Sequence, residues 1–229
     1  MAVITVARQI GSWGDRIAER LAEVLGYEYV DKRLVEEIAA ITATTPEEVE
    51  AYDEKGEGRV QYFLRRLLVP EISPGSFPLS AAAYASELGL EFAYVSDVEA
   101  NQPTYLDRGT YQLLITTLVQ DFGQTGKAVI VGRASQVILK DHPGACHIKI
   151  VAPAELRCAR VQQARGLDAA AARRLVEQHD QWRQDYLRNY HHANWDDPLL
   201  YDLTINTGRV SPEEAVDLIA DYARHKGAA

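Results

Sequence analysis

A doubly wound α/β fold is what this sequence predicts, on three observations. Five short apolar runs recur along the chain, each bounded by turn or polar residues. Each run is followed by a stretch with helical spacing of its apolar residues. The 229 residues, 47% hydrophobic and 25% charged, have an ordinary globular composition and suffice for one domain with a sizeable core.

The strands are expected at "AVITVA" (2–7), "YEYVD" (27–31), "AVIVG" (128–132), "CHIKIVA" (146–152) and "YDLTIN" (201–206). Helices are expected over 14–25, 32–42, 105–124, 153–163, 168–190 and 211–225. The last opens on "SPEE", with Ser211 as N-cap, Pro212 at the first helical position and acids in the first turn. Two segments depart from the alternation. Residues 44–104 read as helices joined by a Pro/Gly-rich connection, and 164–198 as a charged helix followed by "NYHHANWDDP", with His191 and His192 on a loop. Insertions of this kind often carry binding and closing elements on a rigid sheet.

The net charge of −9 argues against a broad surface for nucleic acid or anionic membrane, though not against a local basic pocket. No apolar stretch approaches the roughly 18–20 residues of a membrane span. The chain enters a strand pattern at once, without a basic-then-apolar leader, so a cytoplasmic protein is expected, and a homo-oligomer is compatible with these features. Cys146 and Cys158 lie in a strand and at a helix start, with no CxxC and no paired histidine to suggest zinc, and read as core residues.

The first joint, "RQIGSWGDRIAERLAEVLGY", has the layout of a phosphate-binding loop: strand, glycine turn, amphipathic helix. Such loops let backbone N–H groups converge on an anion at a helix N-terminus. Gly11 and Gly14 supply the bend, and Ser12 offers a hydroxyl to an anion or a magnesium ion. The GxxxxGK[ST] pattern is not met, because Asp15 and Arg16 follow Gly14 where lysine and Ser/Thr would stand. Asp15 suits the helix dipole but repels a phosphate placed there. Arg8, ending the first strand, can replace the missing charge with a guanidinium suited to phosphate oxygens.

A second cluster lies in "KAVIVGRASQVILKDHPGACHIKIVAPAELRCARV". Arg133 directly follows a buried strand, at the edge where α/β folds bind ligands. Arg157 and Arg160 follow the next strand. In "VEQHDQWRQDYLRNYHH", Asp180 and Arg183 are i,i+3 neighbours, for which a surface ion pair is the plain reading, and Arg188 lies about two turns past Asp180. Arginines gathered near strand ends suit phosphoryl transfer, which needs positive groups, metal positioning and water exclusion more than a nucleophile.

Taken in order, "ITVARQIGSWGDRIAERLAEVLGYEYVDKRLVEE", "AVIVGRASQVILKDHP", "IKIVAPAELRCARV" and "HDQWRQDYLRNY…WDDPLLYDLTINT" resemble the cytidylate kinase-like proteins, a divergent branch of the P-loop nucleoside monophosphate kinases. The resemblance implies a P-loop NTPase-type three-layer fold with a five-stranded parallel sheet. It further implies a core of 1–43, 105–163 and 199–229, a helical NMP-binding insertion at 44–104 and a helical lid at 164–198. ATP and Mg²⁺ are the implied cofactors, and a nucleotide and a small acceptor the partners. The phosphate loop falls on Arg8, Gly11, Ser12, Trp13, Gly14, Asp15 and Arg16. Asp31 resembles the acid near the monophosphate site, with a role toward magnesium or the acceptor. Gly132–Arg133 resembles the Gly-Arg pair contacting the acceptor nucleotide. Asp180, Arg183 and Arg188 resemble the charged lid set, and Asn206 falls where the donor base is bordered.

The departures bear on activity. Cytidylate kinases carry the loop lysine and Asp-Gly-Arg-Asp at the end of the third strand, whereas here Val131 and Ala134 flank Gly132–Arg133. Losing the first of these acids weakens a magnesium site, and losing the second removes a contact to cytosine. Three functions remain open from sequence: an ATP-dependent kinase of CMP, dCMP or a related acceptor; a nucleotide-binding sensor without turnover; and a P-loop enzyme on a non-phosphorylated acceptor with Asp31 as base.

Overall fold

The computed structural model describes residues 2–42, 46 and 108–227. It divides into two compact units, Met1–Asp31 with Ile115–Ala229, and Lys32–Leu114. The predicted insertion 44–104 belongs to the second unit and, Pro46 apart, lies outside the described residues.

The first unit is built on β1 (Val3–Arg8), β2 (Glu28–Val30), β3 (Ala128–Val131), β4 (Ala145–Val151) and β5 (Leu203–Asn206). All pairings are parallel, in the order β2-β3-β1-β4-β5. Each of the five expected apolar runs forms one strand. The register sets Ile4 beside Val129 and Cys146, and Val6 beside Val131 and Ile148. Alternation along the strands then puts these residues on one face. Two helices cover that face: α1 (Gly14–Leu25), through Ile17, Ala18 and Leu21, and the C-terminal helix Pro212–Gly227, through Ala215, Val216 and Ile219. α1 is amphipathic at 3.6-residue spacing and stops at Gly26, whose left-handed backbone (φ 64°) lets its N–H return to Ala22 and Glu23 carbonyls.

The opposite face of the central strands carries polar side chains. Thr5 and His147 are register partners, and Thr5 Oγ1 lies 2.8 Å from His147 Nδ1. Lys149, two residues on, is 6% exposed. Its Nζ donates to the Trp195 carbonyl (2.8 Å) and to Asp196 Oδ1 (2.9 Å), and sits 4.4 Å from the Trp195 ring centroid. A buried ammonium is tolerated because it is paired and hydrogen-bonded. It fastens the segment ahead of β5, including a 3₁₀ turn at Pro198–Leu200, to the sheet.

The remaining helices among the described residues, in chain order, are α2 (Lys32–Thr42), α3 (Arg108–Thr125), α4 (Ser135–Ile138), α5 (Ala154–Arg165), α6 (Ala169–His191) and α7 (Pro212–Gly227), the last already met above. In the second unit, α2 buries Leu34, Val35, Ile38 and Ala39 along one side. Ser211 does begin α7, in a reciprocal capping box: Glu214 N donates to Ser211 Oγ (3.2 Å) and Ser211 N to Glu214 Oε2 (2.8 Å). α4 was not expected, being a single turn too short to show a period. His191 and His192 do not lie on a loop: they end α6 as its last residue and its left-handed C-cap. Both cysteines are free. Among the described residues no helix is long and apolar enough to cross a membrane.

Burial pushes the His147 imidazole below its ordinary pKa, the nearby Asp202 opposing. The unfolded chain therefore takes up this proton first, so stability falls as pH drops through about 6.5, the unfolded value. His147→Gln is expected to flatten that part of the pH dependence in urea titrations between pH 7.5 and 5. An unchanged slope would show that His147 is not the group responsible.

Candidate functional site

The carboxyl ends of β2, β3 and β1 lie side by side, and each is followed by a residue singled out from sequence. Arg8 closes β1, Gly132–Arg133 follow β3 and Asp31 follows β2. The charges of Asp31 and Arg8 are both felt at the Tyr29 phenol on β2: burial raises its pKa, Asp31 and Asp15 raise it further, and Arg8 opposes them. This is the edge at which open α/β sheets take ligands.

Between β1 and α1 the chain makes a tight turn. Ser12 N donates to the Gln9 carbonyl (3.2 Å), and Gly11 has φ 76° while Ile10 stays at negative φ, the pattern of a type II turn with glycine in its third position. A Cβ on Gly11 would stand 2.7 Å from the Arg157 carbonyl oxygen, and one on Gly14 would stand 2.3 Å from Arg8 Cβ. Both glycines are thus required by close approach. Ser12 is fully buried, and its hydroxyl donates to the Gln9 carbonyl at 2.7 Å, inside the turn.

Trp13, at φ 65° and ψ 15°, is the N-cap of α1 and makes no side-chain capping bond. The N–H groups of Gly11, Trp13, Gly14, Asp15 and Arg16 reach no protein acceptor among the described residues. α6 and α7, by contrast, are capped by Asp168 and Ser211. An uncapped helix start behind a glycine turn is a site for an anion, where orphan donors and the helix dipole act together.

The carbonyls of the turn face the other way, and arginines hold them. Arg157 Nη1 reaches the Ile10 carbonyl (3.5 Å) and Arg160 Nη1 the Gly11 carbonyl (3.2 Å), while Thr207 Oγ1 donates to the Ser12 carbonyl (2.9 Å). Arg160 also donates to Thr207 Oγ1 (3.0 Å) and to the Thr207 carbonyl (2.9 Å), and stacks 3.3 Å from the Trp13 ring centroid. Arg157 is gripped from α6 by Asp180, at 3.1 and 2.7 Å.

The expected site residues therefore fall into two groups. Arg8, Gly11, Ser12, Trp13, Gly14, Asp15, Asp31 and Arg133 gather at the sheet edge and turn. Arg8 Nε is paired with Asp15 Oδ1 at 2.8 Å. Gly132, Arg133 and Ala134 are all left-handed (φ 74°, 57° and 53°), a conformation costing about 1–2 kcal/mol at each non-glycine residue. Arg133 is only 6% exposed. The Arg16 side chain turns away to Glu213 on α7, at 2.9 Å, leaving only its backbone at the turn. The Asn206 amide oxygen accepts from Gly208 N (2.9 Å) and so braces its own loop.

On α6 the surface pair expected between Asp180 and Arg183 does not form. Asp180 joins Arg157 and compensates its buried guanidinium. Arg183 is buried within α6, and Arg188 is exposed and contacts Asp185. Sequence reasoning gave Arg157 and Arg160 no role and passed over Gln9, whose amide oxygen accepts from Ala152 N (3.1 Å), and Thr207. The RxxR spacing on α5 was the available signal.

A parallel sheet ending in a glycine turn, whose N–H groups meet no protein acceptor among the described residues and which arginines surround, defines a P-loop-type α/β fold. The chain belongs to the cytidylate kinase-like family, which it matches over residues 3–209. A solved structure of an uncharacterized protein from Eubacterium ventriosum shares the fold, with TM-score 0.63 at 19% identity over 98% of this chain and 99% of that one. Two curated proteins match in part. A uronate isomerase of Corynebacterium glutamicum is 36% identical over 97 residues, 42% of this chain and 19% of that protein. A cytidylate kinase of Halobacterium salinarum is 30% identical over 70 residues, 31% of this chain and 36% of that protein. The matched stretches thus span well under half of either curated relative.

Asp180→Ala is expected to lower stability by about 3 kcal/mol in denaturant titration, because it strands a buried guanidinium. Asp180→Asn, which keeps acceptor capacity, should lose less. Gly11→Ala should cost about 2 kcal/mol through strain and displacement of the turn from α5, read in the same titration. Equal stability of Asp180→Ala and the parent protein would contradict the assigned clamp.

Proposed function

We propose that this chain is an ATP-dependent, nucleoside monophosphate kinase-like phosphotransferase acting on CMP, dCMP or a related small acceptor. One observation carries the reading: the α1 N-terminus is uncapped, the turn before it sends its carbonyls into the protein, and its Gly11 and Trp13 N–H groups meet no protein acceptor among the described residues. Such a cradle suits the polyphosphate of a nucleotide.

The residues fit the nucleotide better than a protein-bound metal. Ser12 has its hydroxyl inside the turn, and among the described residues no three His, Cys, Asp or Glu side chains gather to hold an ion. Mg²⁺ would be held chiefly by the nucleotide's own phosphates, with Asp31 as the side chain toward it. When bound there, it would neutralise charge on the transferred group. Arg8 adds positive charge beside the turn. Arg133 binds the acceptor phosphate, and Arg183 and Arg188 stabilise the transferred group. Asp180 supports the site through Arg157. An acceptor phosphate oxygen is already nucleophilic, so no strong base is required.

A second reading, a nucleotide-binding module with little or no turnover, is favoured by the pairing of Arg8 with Asp15 and by Val131 and Ala134 beside Arg133. A coupled assay with ATP, Mg²⁺ and a panel of monophosphates separates the two. Turnover of CMP, dCMP or UMP is expected, and Arg133→Ala should lower kcat/KM about a hundredfold. Tight ATP or ADP binding with no turnover on any acceptor would establish the second reading. Turnover confined to a non-phosphorylated acceptor and abolished by Asp31→Asn would replace both.

A further inference from the structure

The hydrogen bonds around the turn have a direction that assigns Arg160 a task. A guanidinium only donates. Arg160 Nη1 donates to Thr207 Oγ1, so the single Thr207 hydroxyl hydrogen must go elsewhere, and the Ser12 carbonyl lies 2.9 Å away to receive it. Across a planar trans peptide, drawing the Ser12 oxygen toward Thr207 turns the Trp13 N–H the opposite way. Arg157, pulling on the Ile10 oxygen, does the same for the Gly11 N–H. These two N–H groups are among those that meet no protein acceptor among the described residues.

Arg157 is not arranged to touch a ligand itself, and Arg160 uses most of its donors on the protein. Of the five N–H bonds of Arg160, three are aimed at protein oxygens, and its Nε is buried with no partner among the described residues. The Trp13 indole closes one face of its guanidinium. Arg157 directs four contacts at Ala152, Ile10 and Asp180 and is 4% exposed.

We infer that Arg160, acting through Thr207, and Arg157 are positioning residues: they fix the peptide planes of the turn so that Gly11 and Trp13 present N–H groups to a polyphosphate, in a loop with no lysine to order it. The inference rests on the nucleotide reading above. It adds that the turn's own Ser12–Gln9 bonds are not enough, and that α5 and the β5–α7 joint fix the peptide planes at Gly11 and Trp13.

The test is calorimetric binding of inorganic tripolyphosphate and of ADP to the full chain. Thr207→Val removes the hydroxyl without changing charge or shape. It and Arg160→Gln should each weaken tripolyphosphate binding about tenfold. The double variant should be no weaker than either single one, because both break one chain of contacts. Thr207→Ser should bind as the parent does. Thr207→Val, which keeps every charge, should leave the salt dependence of binding unchanged, whereas Arg160→Gln removes a charge near the anion and should lower it.

Parent-like binding by Thr207→Val, or losses that add in the double variant, would overturn the positioning role. A loss in Arg160→Gln that Thr207→Val does not share would make Arg160 a direct ligand instead. Should Arg160→Gln fail to fold, Arg160→Lys keeps the charge while losing the fork of donors and is expected to show the same tenfold loss. Failure of the parent protein to bind tripolyphosphate, ADP or ATP would overturn the nucleotide reading itself, and this inference with it.

Discussion

The constraint on which the rest depends is the enclosure of β1. It is hydrogen-bonded on both edges, to β3 and β4, and Val3, Ile4, Thr5 and Val6 are all fully buried. A strand held on four sides has one place to end, and its last residues cannot drift. The turn at Gln9–Trp13 therefore starts from a fixed point, and small differences in peptide orientation there carry meaning. Gln9 strengthens the anchor by binding across to Ala152 beyond the end of β4.

Charge at this edge is arranged to avoid the cost of burying it alone. Arg157 is buried against Asp180, and Arg8 meets Asp15. Arg160 is held by Gly11 and Thr207 oxygens and by the face of an indole. The chain as a whole is strongly acidic, yet the guanidinium groups of Arg8, Arg157 and Arg160 converge on a single turn. A net charge of −9 and a local anion site are thus compatible, because the field of a few buried cations and a helix terminus acts at short range.

Most of the fold was legible because a parallel sheet writes itself as short apolar runs between amphipathic stretches. The bounds of α1 and α2 coincide with those expected, since Gly14, Gly26 and the end of β2 punctuate them clearly. Ser211 announced its helix through local chemistry that needs no tertiary partner. The site was legible only in part. Glycine spacing located the turn, but whether a serine hydroxyl faces outward or inward depends on one rotamer, which composition cannot reveal. The partner of Asp180 was misread because helical spacing points to Arg183, whereas burial of Arg157 on a neighbouring helix decides the pairing. Thr207 was invisible, because its role arises only where β5 lies two strands from β1 and its loop comes over the turn.

Lys149 carries a consequence for the segment leading into β5. Its amine is wedged between a main-chain oxygen, a carboxylate and an indole, and such a group resists acylation for as long as Trp195 and Asp196 stay in place. Its labelling by an amine-selective reagent would therefore lag behind that of surface lysines. The lag measures how often this strap lifts from the sheet, making one side chain a chemical clock for local opening.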